Sequence, residues 1–378
     1  MIVLRGARVW DPAGGTVRDV TLPSAATAEV DVGGALLLPG LVNAHCHLEL
    51  SHLARTLRGA DGFVPWVEAL IAQRGDPGAP EAREAVRRAV LELESTGTVA
   101  VADVSNSLAH LDLLEGSGLI AVVFYELLGW DPERAEALLE DADRRAAAVP
   151  PALRSHVRLA AHAPHSVSPA LLARLVDRGG PAAIHLAESP DEGLFLAQGD
   201  GGWGAFLERR GLGHVAFTPP GTTPVRYLED AGALRGGLVA AHCVHVDEDD
   251  RSLLARRGVY VALCPRSNRA LGVGIPPVPE LLRAGVRLCL GTDSLASVPS
   301  LDLAADMAAL QREFPELDPV VIVRMATQGG AEALGLRELG TLTPGKQAAM
   351  AFAPARRPPH DPWAFLVSGD GPFERVRG

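Results

Sequence analysis

Apolar and polar positions follow two alternating rhythms through most of this chain. Eight short runs are almost wholly apolar: "LVNAHCHL", "TVAVADV", "LIAVVFYEL", "VRLAAHAPH", "AAIHLAE", "GLVAAHCVHV", "GVYVALCP" and "VRLCLGTDS". Between them lie Ala/Leu/Arg/Glu stretches of helical period, such as "APEAREAVRRAVLELEST", "DPERAEALLEDADRRAAA" and "SPALLARLVDRG". A strand without a polar face is buried on both sides, which predicts a parallel sheet with helices outside it. Eight such units predict a closed (β/α)8 barrel of TIM type. The ends of the chain differ, reading as short strands broken by turns such as "DPAGG", with no helical stretch. The two termini, residues 1–40 and 341–378, are therefore expected to form one small β-sandwich-like domain beside a barrel of residues 41–340.

Polar groups recur where the predicted strands end. His45 and His47 close the first, His165 follows the fourth, and His185 with Glu188 ends the fifth. His242 and His245 end the sixth and Asp293 the eighth. Residues i and i+2 of a strand share a face, so the imidazoles of "HCH" converge while Cys46 points the other way. Strand C-termini gather at one mouth of such a barrel, where chemistry assembles. Three histidines and an aspartate there suit Zn²⁺ or Fe²⁺ with a position left for water. Each residue alone has a plainer reading. A strand-end histidine is commonly a hydrogen-bonded structural group, Asp293 in "GTDS" suits a helix cap, and Glu188 could cap or pair with an arginine. Their joint occurrence at strand ends favours a site.

Composition narrows the partners. The formal net charge is −11, aromatic residues are 4%, and no basic block is present, which argues against nucleic acid or an anionic membrane surface. No apolar run is long enough to span a bilayer, and "MIVLRGARVWDPAGG" lacks the features of a secretory signal. Cys46, Cys243, Cys264 and Cys289 sit in strand-like segments and read as reduced thiols, so a cytoplasmic location is expected.

In order, "PGLVNAHCHLELS", "HLAES", "AHCVHVD", "CPRSN" and "LGTDS" resemble the amidohydrolase superfamily, in its aromatic-base deaminase and chlorohydrolase branch. Within that branch they are most similar to aminofutalosine deaminases of the alternative menaquinone pathway. The resemblance implies one divalent metal, zinc or else iron, held by His45, His47, His185 and Asp293. It implies Glu188 and His242 as the catalytic pair, with Asp293 also taking a proton. His165 of "APHS" resembles a substrate-contacting position, and Arg266, Ser267 and Asn268 are expected at the mouth. Glu49 could reach a ribose hydroxyl or pair with an arginine. Related binuclear enzymes bridge two metals with a carboxylated lysine or an acidic residue; here the sole lysine, Lys346, lies in the tail and "VRLAAHAPH" has no carboxylate. A single metal is therefore expected.

The mechanism implied is attack of a metal-activated water on an amino-bearing ring carbon, with Glu188 protonating the adjacent nitrogen. The substrate expected is a small-molecule adenine-type nucleoside, aminofutalosine foremost. Methylthioadenosine or S-adenosylhomocysteine, guanine and chlorotriazines are the alternatives, and a catalytically silent binding barrel is an alternative of another class. A homodimer is the assembly considered. The tail departs from the family, since "TPGKQAAMAF" lacks the usual aspartate.

Overall fold

The computed structural model describes the chain except residues 1, 6–7, 12–13, 18–19, 23–27, 32–34, 58–61, 155, 216, 344–345, 348, 355–360, 370–372 and 376–378. All eight apolar runs form parallel strands: β1 (Leu41–Cys46), β2 (Thr98–Ser105), β3 (Ile120–Leu127), β4 (Val157–Ala161), β5 (Ala183–Leu186), β6 (Val239–His242), β7 (Tyr260–Leu263) and β8 (Arg287–Leu290). β1 to β4 pair in sequence order, as do β5 to β8. Backbone bonds from Ala182 N to Leu159 O and from His185 N to His162 O, both 2.8 Å, join the halves. Thr292 N and Asp293 N both donate to His45 O at 3.1 Å and close the ring. The fold is the (β/α)8 barrel that the alternation predicted.

Side chains on β3 show how the period of two divides labour. Ala121 and Val123 pack with Val86, Ala89 and Leu93 of the helix Pro80–Ser95. That helix is amphipathic: Ala82, Ala85, Val86, Ala89, Val90 and Leu93 are its buried residues, at helical spacing. Val122 and Phe124, on the other face, lead up to Glu126 at the strand's end. Cys46 joins the helix-side cluster, as the alternation in "HCH" implied.

The termini build two small sheets. A five-stranded one runs Glu374–Arg375, Met350–Ala353, Leu36–Pro39, Arg8–Asp11, Gly14–Val17 and so contains both ends of the chain. A three-stranded one holds Val20–Leu22, Ile2–Arg5 and Ala28–Asp31. Gly40 alone separates Leu36–Pro39 from β1, and its N–H donates to Ala349 O at 2.9 Å. The sheet thereby anchors the strand that carries the first histidines.

A buried ion pair holds the segment just past β1. Asp103 Oδ1 accepts from Leu48 N at 2.9 Å, while Oδ2 lies 2.7 Å from His110 Nε2. Burial works against charge on His110, but the charge and hydrogen bond of Asp103 outweigh it and raise its pKa. The pair's contribution is thus complete below the ordinary histidine pKa and fades as pH climbs through the raised one. His110→Ala is expected to cost about 3 kcal/mol, because it strands a buried carboxylate. Urea unfolding at pH 6 measures this, and a loss below about 1 kcal/mol would show that Asp103 needs no partner.

Candidate active site

Four strand ends deliver the polar groups, and the backbone bends sharply to do so. Ala187, His242, Cys243 and Asp293 all have positive φ (50°, 72°, 48° and 62°), strained values for residues with a side chain. Each lies just after β5, in or after β6, or after β8. Glu192 supports one of these bends, accepting from Ala187 N at 3.0 Å and Glu188 N at 3.1 Å. Gly291 is needed at another, since a Cβ there would meet His45 Cβ, O and N at 2.7, 2.8 and 2.9 Å.

His45 is the hub. Its ring centre lies 4.9 Å from those of His47 and His185 and 5.5 Å from that of His242. Asp293 Oδ1 stands 3.9 Å from His45 Nε2 and 3.8 Å from His47 Nε2, and the Nε2 atoms of His47 and His185 are 3.1 Å apart. His45, His185 and His242 form one set of donor atoms within 4.8 Å of one another, and His45, His47 and Asp293 form another. Burial drives the pKa of His45 well down, so its imidazole is neutral, and its buried Nε2 has no hydrogen-bond partner. A neutral nitrogen lone pair and an ionised carboxylate converging in a dry site suit a divalent cation. We propose that His45, His47, His185 and Asp293 would hold it.

The carboxyl groups diverge. Burial pushes Glu188 up to about 8, so it carries a proton at neutral pH. Asp293 is also opposed by burial, yet His47, His242 and a 2.5 Å hydrogen bond from Ser267 Oγ hold it ionised and below its usual value. His242 donates from Nδ1 to Asn268 Oδ1 at 2.8 Å, which leaves the Nε2 lone pair facing Glu188 Oε1 at 3.5 Å. Burial lowers His242 to about 4, so it is neutral. These groups, except His45, line a cavity of about 960 Å³ counted with its open mouth, together with His162 and His165.

Of the residues expected at the substrate, only His165 lines that cavity; it is stacked on Trp203 at 3.9 Å, and neither ring nitrogen has a hydrogen-bond partner, with Glu192 Oε2 3.9 Å from Nδ1. The placement of the others is corrected. Arg266 turns away to Asp306 (2.7 Å) and Ser300, Ser267 supports Asp293, and Asn268 supports His242. Glu49 is 2% exposed and bonded to Arg74, the arginine-pairing alternative left open for it. His245 bonds the Val273 carbonyl at 2.7 Å and stays outside the cluster.

Comparison with known proteins decides the family: the amidohydrolase family profile matches residues 36–366. The chain belongs to the amidohydrolase family. It is 33% identical over 365 residues to a 5-methylthioadenosine/S-adenosylhomocysteine deaminase of Pelotomaculum thermopropionicum, covering 89% of this chain and 77% of the relative. It is 32% identical over 323 residues to an aminodeoxyfutalosine deaminase of Deinococcus radiodurans, covering 80% and 74%. The aminofutalosine deaminase of Helicobacter pylori, solved with methylthio-coformycin, superposes with a TM-score of 0.83 at 21% identity over 100% of both chains. This amidohydrolase is thus a hydrolytic enzyme of the deaminase branch.

One residue of the amidohydrolase site escaped the sequence reading. β4 has no carboxylate, but Glu126 arrives from the end of β3, where "FYEL" carries a lone acid in an apolar run. Its Oε1 lies 3.2 Å from His185 Nδ1, which also donates to the His162 carbonyl at 2.9 Å. Burial disfavours charge on His185, but Glu126 outweighs it and raises the ring to about 9, the mark of a basic ligand. Glu126, His162 and His185 form a further set of close donor atoms. The His185 nitrogen on that side keeps its proton, however, so the set is not an independent second site. We propose one cation per chain. Elemental analysis should return one equivalent, and two would overturn it; Glu126→Gln should weaken metal binding by about 10- to 100-fold in chelator competition.

Proposed function

We propose that this chain hydrolytically removes the exocyclic amino group of an adenine-type nucleoside, with aminodeoxyfutalosine as its substrate. The observation that carries the reading is the buried Glu188, its Oε1 3.5 Å from His242 Nε2, at the edge of the histidine–aspartate cluster, where burial raises the pKa of the carboxyl. A cyclic amidine accepts attack readily only when its ring nitrogen gains a proton, and a buried neutral carboxyl is a ready donor.

Each residue then has a step. Asp293, ionised and fixed by Ser267, takes a proton from the attacking water. His242, its tautomer set by Asn268, orients that water through Nε2. Glu188 gives its proton to the ring nitrogen as the new C–O bond forms; the proton held by Asp293 then passes to the amino group, the C–N bond breaks to release ammonia, and Glu188 takes the hydroxyl proton as the ring carbonyl forms. A zinc or iron ion, when bound, would supply Lewis acidity at neutral pH. His165, buried with neither ring nitrogen hydrogen-bonded, is available to a polar edge of the substrate.

The Deinococcus relative, 32% identical, supports aminodeoxyfutalosine. The second reading, 5-methylthioadenosine or S-adenosylhomocysteine, is supported by the 33% identical relative from Pelotomaculum. A silent binding barrel has no use for the Glu188–His242 pair. A cytoplasmic location belongs to this proposal: all four cysteines are free and buried, and no described helix is long and apolar enough to cross a membrane.

Ultraviolet spectra and ammonia release across these nucleosides test the reading. An adenine-to-hypoxanthine shift is expected, fastest with aminodeoxyfutalosine, and no shift with any of them would overturn it. Glu188→Gln should lower kcat by about 100-fold or more with metal content retained; substantial residual turnover would remove Glu188 from its role.

A further inference from the structure

One short helix supports two of the reacting groups at once. Pro265–Leu271, directly after β7, brings Ser267 Oγ to Asp293 Oδ2 at 2.5 Å and Asn268 Oδ1 to His242 Nδ1 at 2.8 Å. Neighbouring helical residues diverge by about 100°. The two side chains therefore reach partners on different strand ends only at one setting of the helix. Asn268 is fully buried and its Nδ2 has no hydrogen-bond partner, so its amide makes no second bond that would aim it. The helix also starts at Cys264 without a side-chain cap, on a proline that lacks an N–H. Its setting must come from elsewhere.

Arg266 stands between that proline and Ser267 and points away from the cavity. Its Nε and Nη2 donate to Asp306 Oδ2 at 2.9 and 2.7 Å, and its Nη1 donates to Ser300 Oγ at 2.9 Å. Nη2 also reaches the Ser300 carbonyl at 2.8 Å. Asp306 Oδ1 accepts from Arg266 N at 3.3 Å, serving one of the first-turn N–H groups that a helix leaves open. The Asp306 side chain is 0% exposed and that of Arg266 13%. Ser300 lies on the segment that Asp293 opens, and Asp306 on the helix Leu303–Glu313 that follows it. One planar guanidinium thus ties the turn after β7 to the segment after β8, which carries the partner of Ser267.

We infer that Arg266 and Asp306 are positioning residues for the reaction, a clamp outside the cavity that holds Ser267 on Asp293 and Asn268 on His242. A buried ion pair is a poor source of net stability, since desolvation offsets most of its attraction. Apolar side chains could fill the same space, but they would not fix the helix in rotation and along its axis. Without the clamp Asn268 slips from Nδ1, His242 is free to take its other tautomer, and the Nε2 lone pair no longer orients the water. The inference rests on the nucleoside deaminase reading for what the aimed groups do, and adds what aims them.

The test replaces both partners, because Arg266→Met alone would strand the buried Asp306 carboxylate. Arg266→Met combined with Asp306→Leu fills the space with apolar groups and should melt within about 5 °C of the unsubstituted enzyme. On whichever nucleoside the unsubstituted enzyme deaminates, kcat should fall by about 10- to 100-fold while KM moves less than about 3-fold. Arg266→Lys keeps a charge for Asp306 but not the planar fork, and should retain part of kcat. In an Asn268→Ala background the double replacement should cost a smaller factor in kcat than it does alone. Unchanged kcat in the folded double variant, or an equal factor lost in both backgrounds, overturns the clamp. Should the double variant fail to fold, Arg266→Lys decides, and an undiminished kcat there overturns it. Absence of turnover by the unsubstituted enzyme counts against the deaminase reading alone. The clamp is then read from the downfield proton resonance of His242 Nδ1–H in zinc-loaded enzyme with nitrogen-labelled histidine, assigned by its loss in Asn268→Ala. It should broaden or shift in the clamp variants, and an unchanged resonance overturns the assignment.

Discussion

The closure of the barrel between its first and last strands is the contact on which the rest depends. His45 offers one carbonyl to two N–H groups, those of Thr292 and Asp293, both at 3.1 Å. Only a residue without a Cβ fits at Gly291, because the His45 backbone occupies that space. This one junction closes the sheet and sets the aspartate beside the histidine pair. Without it the donor atoms of β1 and β8 would have no fixed relation, and a cation site tolerates little error in distance.

Around that junction, burial does most of the electrostatic work. The same removal from water keeps His45 and His242 neutral and keeps Glu188 protonated. It does not act alone: Glu126 keeps His185 basic, and Ser267 with neighbouring histidines keeps Asp293 ionised. Two carboxyl groups in one mouth therefore sit in opposite protonation states, the arrangement that lets one give a proton while the other takes one. The supporting residues Asn268, Ser267, Glu126 and Glu192 touch the reacting groups and fix their tautomers and backbone.

The strained backbone at Ala187, His242 and Asp293 belongs to the same design. A regular strand end would send alternate side chains to opposite faces, and the left-handed turns redirect them into the mouth. The terminal sheets brace the entry to β1 through Gly40, and the Asp103–His110 pair braces the segment after it.

Apolar runs of eight strands, the helical period between them and the polar residues ending the first, fifth, sixth and eighth strands were all legible along the chain. Those patterns follow from local geometry and burial, which every window of sequence expresses by itself. His45, His47, His185, His242, Glu188 and Asp293 were legible for the same reason, as polar breaks in apolar runs. The roles of Glu49, Arg266, Ser267 and Asn268 were not, because proximity to a motif does not say which way a side chain turns. Glu126 was invisible as a partner of His185, since that contact joins two strands at a distance set only by barrel packing. The sequence alone determined which residue types could do chemistry and at which end of the barrel. The tertiary structure decided which of them face the cavity and which stand behind, because those depend on contacts between segments far apart in the chain.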